Sequence, residues 1–567
     1  MYIVIFMKIN KVFSFVILLL SFNFSLYAVP RADQDLILPK HWVYNAMISL
    51  ELEMGRTTFS DQAPVSIVEL KTYLDEIDFD RLSSVGKIQY QRIMDYISEK
   101  NWSVNYGLLS LGIEPTVNPE FYLKPNSDTP WIYDYTKRKP LIEMPIKLNV
   151  GNYLSVYMGL EASQNYKARN RNDNYFNQVF GIDYFDPALV HENYLSAGYT
   201  WDNNVGFNLK LGVGTQSTGH SMMPSIITSE YLTDAPYFNL RVFSPIFNYN
   251  CNITQLSRKT HLYTHRIEAI LFKKIQFSFM EGVLPYGNFD LRMINPFSIY
   301  HGYGIFNEIS NECSSFFGIK VNVTPIKYLR LYFLYAQNEH TMSSEENKSI
   351  PEGSGFQLGL ESYIPSKKGY FHIGCEFYYA NPYLFIKDNP NISFAKVFTE
   401  MVSGSGPYYQ WLGSPLGPDS MAFQFAFGYE QPERWSIDFA YNFAALGEFS
   451  KDNIFRKVNW RPNSFEYDES GWVYPSSDPS NPYNDGAKYK APHGIVEYQN
   501  SFCIKTSFKP TDFLTINFQP GYKIINNYGN QSGEFRHGPE FVLGCEVYLT
   551  KLKQNAKSPD FLFSDGK

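Results

Sequence analysis

Met421 to Phe443 reads MAFQFAFGYEQPERWSIDFAYNF. Met421, Phe423, Phe425, Phe427 and Tyr429 alternate with Ala422, Gln424, Ala426, Gly428 and Glu430. Past Gln431, Pro432 and Glu433 the pattern resumes, with Trp435, Ile437, Phe439, Tyr441 and Phe443 set against Ser436, Asp438, Ala440 and Asn442. Successive side chains of a strand point to opposite faces, so this is a hairpin with one apolar and one polar face. An apolar sheet face needs a covering layer. Where the pattern recurs and no helices remain to cover it, that layer is lipid.

The pattern does recur. From about Val104 the period is two, and eighteen strand-like segments follow, the first over 104–122 and the last over 538–550. Phe317, Ile319, Val321 and Val323 oppose Gly318, Lys320 and Asn322; Phe541, Leu543, Cys545 and Val547 oppose Val542, Gly544 and Glu546. Lys320, Glu376, Asp438 and Glu546 all fall on the non-lipid parity. A charge on the lipid face at the bilayer midplane costs roughly 2–4 kcal/mol, so lipid exposure demands this segregation. Small residues on the inner parity (Gly359, Gly374, Ala422, Ala426, Gly428) leave space in the lumen. The 381–419 gap has room for a further strand pair.

Connection lengths alternate. Short turns at 151–152, 202–204, 245–246, 273–274, 325–326, 365–368, 432–433 and 509–511 interleave with long loops at 165–192, 215–235, 285–312, 339–353, 381–419 and 446–494. The 258–260 link is the exception. Outer-membrane barrels have short periplasmic turns and longer outer loops. The reading is thus an all-β transmembrane fold, an eighteen-stranded antiparallel outer-membrane barrel over 102–550.

Composition agrees. Aromatics make up 17 % of 567 residues, and the net charge of −7 with no long basic run argues against nucleic acid. Mean hydropathy is −0.28, too low for a helical membrane protein. Cys251, Cys313, Cys375, Cys503 and Cys545 are far apart and lack metal-ligand spacing.

Lys8 and Lys11 precede the apolar run Val12–Phe22, and Ala28 is a plausible last residue before cleavage, so 1–28 reads as an export signal. Residues 31–101 form a small helical module. The roughly helical spacing of Trp42, Ala46, Met47, Leu50 and Leu52 marks a first helix, the capping box Ser66–Glu69 opens a second, and Leu82 to Ile97 forms a third. With the short turns on the periplasmic side, this module is periplasmic too. Residues 551–567 form a polar C-terminal tail.

His265-Arg266-Ile267-Glu268, Glu281, Tyr286-Gly287, Asp290, Arg292, Asn295-Pro296 and Tyr300-His301 together resemble the capsule-assembly (Wzi-like) family of outer-membrane barrels. Leu38–Tyr44 resembles that family's helical N-terminal region, and Leu416-Gly417-Pro418-Asp419-Ser420 its approach to a later strand. The resemblance implies an eighteen-stranded barrel with a periplasmic helical bundle, acting as a surface lectin that holds capsular polysaccharide. The family's Gly-Arg tract and Trp near 206–220 are missing from Leu209–His220, so sugar holding by that loop is not implied.

Two sets of residues are candidate sites. Arg266, Glu268, Glu281, Asp290 and Arg292 read as a lumenal polar network that pins the 285–312 loop inside the barrel, since buried charges must be paired; a sugar or solute contact is the alternative. Tyr408, Tyr409, Trp411, Asp419, Trp460, Trp472 and Tyr474 lie in long loops. Their rings could stack on sugars, or pack among themselves or at the membrane interface. No HExxH, GxSxG or P-loop occurs, so no catalytic residue, metal or cofactor is expected. The expected function is a non-enzymatic surface protein, a monomer in contact with outer-membrane lipid, that binds or anchors polysaccharide. A porin-type solute channel and an adhesin are the other readings.

Overall fold

The computed structural model describes residues 27–555 except 30, 100, 135, 165–174, 181–184, 187, 296–297, 301–312, 340–352, 388, 399–407, 452, 456–458, 462–465 and 469–489. Most of the segment 1–28 expected to be an export signal, His301, Trp472, Tyr474 and the end of the tail lie outside the described residues.

Among the described residues, eighteen antiparallel strands close a barrel. Strand β1 is built from three pieces, Leu109–Ile113, Thr116–Val117 and Glu120–Leu123. It pairs with β2 (Ile142–Val150) on one side and β18 (Phe535–Tyr548) on the other, which closes the ring. Next come β3 (Leu154–Ala162), β4 (Val190–Thr200), β5 (Gly206–Gly214), β6 (Ala235–Phe243), β7 (Phe247–Ser257), β8 (Thr260–Leu271) and β9 (Ile275–Pro285). The other half is β10 (Cys313–Val323), β11 (Leu329–Glu339), β12 (Gly353–Pro365), β13 (Tyr370–Ala380), β14 (Ser420–Gln431), β15 (Trp435–Leu446), β16 (Glu497–Thr511) and β17 (Leu514–Asn526). The opening hairpin is β14–β15, in register from Met421↔Ala445 to Gln431↔Trp435, with Glu433 left-handed in its turn. Phe423, Phe425, Phe427 and Ile437 stand exposed on the outer face, while Lys320 and Glu376 are buried inside. No helix among the described residues is long and apolar enough to cross a membrane.

Three expectations change. The 104–122 segment is not one strand: Asn101–Tyr106 turns back at Gly107, whose φ of 60° suits glycine, and pairs with the start of β1. The alternation runs through that turn and hides it. The 381–419 gap does hold a strand pair, Ala395–Phe398 with Tyr408–Trp411, but as a separate two-stranded ribbon outside the barrel sheet. The polar tail begins as a helix, Leu549–Asn555, and Lys551 pairs with Glu99 at 2.9 Å.

The helical module is α1 (Trp42–Met54), α2 (Ile67–Leu74) and α3 (Ser84–Ser98). Gly55 ends α1 in a left-handed cap, and the Ser66 and Ser83 side chains cap α2 and α3. The three helices pack on one another around Val43, Met47, Leu50, Leu70 and Ile93. They cover part of the short-turn end of the barrel. Thr57 N–H donates to the Lys273 carbonyl at 2.9 Å, Tyr328 N–H to the Leu52 carbonyl at 2.7 Å, and Arg92 pairs with Glu430 and Glu433 in the β14–β15 turn. The module does not stand apart from the barrel: residues 58–66, between α1 and α2, run up into the lumen.

From the opposite end the 215–234 connection folds down inside. It meets the module in a two-residue ladder, Ser217↔Ala63 and Thr218↔Gln62. Ile226 and Ile227 sit in a buried apolar core with Phe316, Leu334, Ala336, Tyr378, Phe385 and Leu412. The inner face of β11 is apolar here, so Leu331 to Ala336 loses its polar parity and both faces are apolar. Of the small inner residues, Gly374 makes room for this plug, while the space at Gly359 and Gly428 is filled by the wall side chains Tyr332 and Asp438. A Cβ on Gly318 would come within 2.8 Å of Ile227, one on Gly355 within 2.7 Å of Ile226, and one on Gly374 would clash with Met222.

Candidate functional site

Ion pairs tie the segment between α1 and α2, and α2 itself, to the barrel wall. Asp61 bonds to Arg266 of β8 and sits 2.8 Å from Lys320 of β10. Arg266 also pairs with Glu268 at 2.9 Å, and Glu268 accepts from Ser60 at 3.2 Å and from Asn248. Glu69 of α2 pairs with Arg241 of β6, and Tyr73 donates to Asn248 at 3.1 Å. The side chains of Asp61, Arg266, Glu268, Lys320, Glu69 and Arg241 are all almost fully buried. Burial alone would raise the Asp61 carboxyl, but Arg266 and Lys320 outweigh it and hold the group below the usual carboxylate range. On the wall, Glu376 of β13 accepts from the backbone N–H groups of Met222 (2.7 Å) and Met223 (2.9 Å) and from Tyr332 (2.7 Å). The plug loop thus has no orphaned N–H at that point.

Two of the five residues expected in a lumenal network face the lumen. Arg266 and Glu268 point inward, but their partners come from the helical module and not from the 285–312 loop. Glu281 lies on the outer parity of β9, with Phe277 and Phe279, opposite His265 of β8. Asp290 and Arg292 pair with each other at 2.7 Å, and Arg292 is two-thirds exposed. The described part of that loop runs down the outside of the wall. Met293 and Tyr300 bury themselves against Tyr263, Ile253 and Val283, and Tyr300 packs 4.3 Å from the His265 ring. Gly287 N–H donates to the Lys259 carbonyl at 2.9 Å, which anchors this strap across the short 258–259 link. The physical reason is parity: Tyr263, His265 and Val283 are outward residues, and the strap is the layer that covers them.

The long-loop end is capped by a second part of the apolar core. Trp411 is 3 % exposed, stacks on Phe385 (6.0 Å) and packs on Phe455 (5.2 Å), and its indole N–H donates to the Lys451 carbonyl. Tyr409 stacks on Phe455 at 5.0 Å. Asp419 is fully buried and ties two loops together. It accepts from His493 N–H at 2.7 Å and Phe449 N–H at 3.2 Å, while its own backbone joins Asn381 and Gly447. Burial pushes its carboxyl up to about 7. Trp411 and Asp419 are therefore structural in position, not presented to solvent. Tyr408 lies in the ribbon with Trp411, and Trp460 in a second ribbon, Asn459–Arg461 with Glu466–Asp468. Trp472 and Tyr474 lie outside the described residues.

Sequence reading missed Asp61, the Ile226-Ile227 pair, and the partners of Glu69 and Glu376 across the lumen. One signal was available: Ile226, Ile227, Leu384, Phe385, Ile386 and Phe394 make the 215–235 and 381–419 loops too apolar to be solvated.

No family model matches this chain, and no curated protein matches it. Among solved structures it is similar to Wzi, described as an outer-membrane protein involved in group 1 capsule assembly in Escherichia coli and a carbohydrate-binding β-barrel. The identity is 11 %, covering 91 % of this chain and 99 % of that one, with a TM-score of 0.58. Similarity to OccD3 (OpdP) of Pseudomonas aeruginosa is weaker, at 8 % identity over 77 % of this chain and 91 % of that one, with a TM-score of 0.37 that carries no argument. At these identities the comparison speaks to architecture, and the architecture is clear: this chain has the fold of the capsule-assembly β-barrel.

Proposed function

We propose that this protein is a non-enzymatic outer-membrane protein that binds or anchors surface polysaccharide at its long-loop end, with the helical module on the periplasmic side. The observation that carries this reading is the filled lumen. Among the described residues, an apolar core from one side and an ion-paired segment from the other fill much of the lumen, which leaves little room for a solute path. What remains is a rigid platform whose long loops are organised on a dry base, and binding residues are commonly carried on loops held by such a scaffold. The fold shared with a carbohydrate-binding barrel supports the same reading. Tyr408, Trp460, Trp472 and Tyr474 are the aromatic residues proposed to meet sugar.

The test is retention of surface polysaccharide in a deletion strain, paired with binding of the purified barrel to that polysaccharide. The expected result is polysaccharide shed to the medium and saturable binding in vitro. Normal retention together with no binding would sink the reading. A steady open conductance in planar bilayers would favour the channel instead.

A further inference from the structure

At the short-turn end a cavity of about 880 Å³ lies between the helices and the wall formed by β1–β4 and β14–β18. It is separate from the ion-paired plug and from the loop cap. Its size is within the range of about 300–1,000 Å³ usual for small-molecule sites. Seven basic and seven acidic side chains line it, and most are spent on each other. Arg31 pairs with Glu114 (3.1 Å) and Glu99 (3.3 Å), Lys147 with Glu114 (2.9 Å), and Arg92 with Glu430 (2.7 Å) and Glu433 (2.8 Å). Burial, aided by Arg31, keeps His41 neutral, with its pKa down at about 3.

Such a wall has little net charge but many donors and acceptors. A paired guanidinium keeps N–H groups its carboxylate does not use, and a carboxylate keeps lone pairs. A charged ligand would find most countercharges already engaged and would recover little of its desolvation cost. A polyhydroxylated, uncharged ligand would find a partner for each hydroxyl. The wall also holds rigid rings. Tyr157 stacks on Tyr194 at 4.9 Å with the planes 5° apart. Arg92 lies 4.0 Å over Trp42 and Arg31 4.2 Å over Tyr96, fixing both rings in place. One face of each ring is taken by these contacts, so a sugar would meet the remaining edges and polar handles of Tyr157, Trp42 and Tyr96.

We infer that this cavity is a binding site for an uncharged oligosaccharide segment, reached from the short-turn end. The inference does not rest on the surface-polysaccharide reading, because the two sites are at opposite ends of a closed barrel. The test uses the full-length protein in detergent, with maltohexaose and chitohexaose as probes and inorganic phosphate, trilysine and triglutamate as charged controls. Thr515→Trp and Ser507→Trp each place a bulky ring on the cavity wall; heat-modifiable gel migration checks that each variant barrel is folded. Expected is saturable binding of at least one hexasaccharide, insensitive to salt, weakened about tenfold or more by each substitution, and untouched by Asp419→Asn in the cap. Absence of binding by both hexasaccharides at millimolar concentration overturns the inference. So does binding unchanged in both folded variants, or preferential, salt-sensitive binding of phosphate or either peptide. Loss of surface retention with cavity binding intact, or the reverse, tells the two readings apart.

Discussion

Asp61→Asn isolates what the ion pairs contribute to plug docking. The substitution keeps shape and removes one charge from a group in which the Asp61, Arg266 and Lys320 side chains are each no more than 3 % exposed. Removing one partner of a buried pair costs about 3–5 kcal/mol, because the other charge is left buried. Arg266 keeps Glu268 at 2.9 Å, and Lys320 keeps only the His220 carbonyl at 3.1 Å. One uncompensated cation puts the cost near the low end, about 3 kcal/mol, or roughly a hundredfold in the docking equilibrium. Hydrogen exchange of reconstituted protein should show amide protection over 58–66 falling by about that factor, with β9 unchanged. The native group also sets a pH window. Its carboxyl is held low in the folded state, so its stabilisation is complete above the unfolded value of about 3.9 and is lost as pH falls through the lower folded value. Wild-type docking should thus be flat from neutral pH to about pH 5, and Asp61→Asn should lack the acid limb. Unaltered protection in the variant would refute the assignment of these pairs as the hold on the plug.

Wild-type protein should give almost no conductance in planar bilayers, whereas deletion of residues 219–232 should give steady open channels; a silent deletion variant would mean the module alone seals the lumen. Trp411→Ala should cost the cap about 3–5 kcal/mol and expose the loops around 385 and 455 to chymotrypsin, leaving the barrel's heat resistance intact. Gly318→Val should push against Ile227 and loosen the plug without altering strand content, read as raised conductance and unchanged circular dichroism. Asp419 has a raised folded value of about 7, so its burial favours the protonated form and cap stability should fall as pH rises from about 4 to about 7, then level off. Asp419→Asn should abolish that slope in protease-sensitivity measurements.

How much of this was legible depends on the range of the interaction. The β14–β15 hairpin, the inward parity of Lys320 and Glu376, and the alternation of short and long connections all follow from a two-residue period, which a single strand displays. The caps at Ser66 and Gly55 are equally local. The 104–122 segment failed because a tight turn at Gly107 preserves the alternation on both sides of it. Glu69 shows a different limit. As the third residue after a capping serine it reads as half of a capping box, yet its carboxylate goes to Arg241 across the lumen. The loop aromatics read as ligand platforms because a tryptophan in a long polar-looking loop has no visible packing partner; Phe385 and Phe455 are distant in sequence.

That this chain is a lipid-facing barrel with its charges inside follows from the local pattern alone, because lipid imposes the same rule on every strand. That its lumen is filled follows only from contacts between distant parts of the folded chain. Arg266 meets Asp61 across 205 positions of chain, and a charged side chain carries no mark of which distant partner will neutralise it. The direction of a loop is decided in the same way. The 215–234 connection turns inward onto apolar wall residues, and the described part of the strap, 286–295 and 298–300, turns outward onto Tyr263 and His265. Each goes where uncovered surface awaits it, and that surface exists only once the barrel has closed.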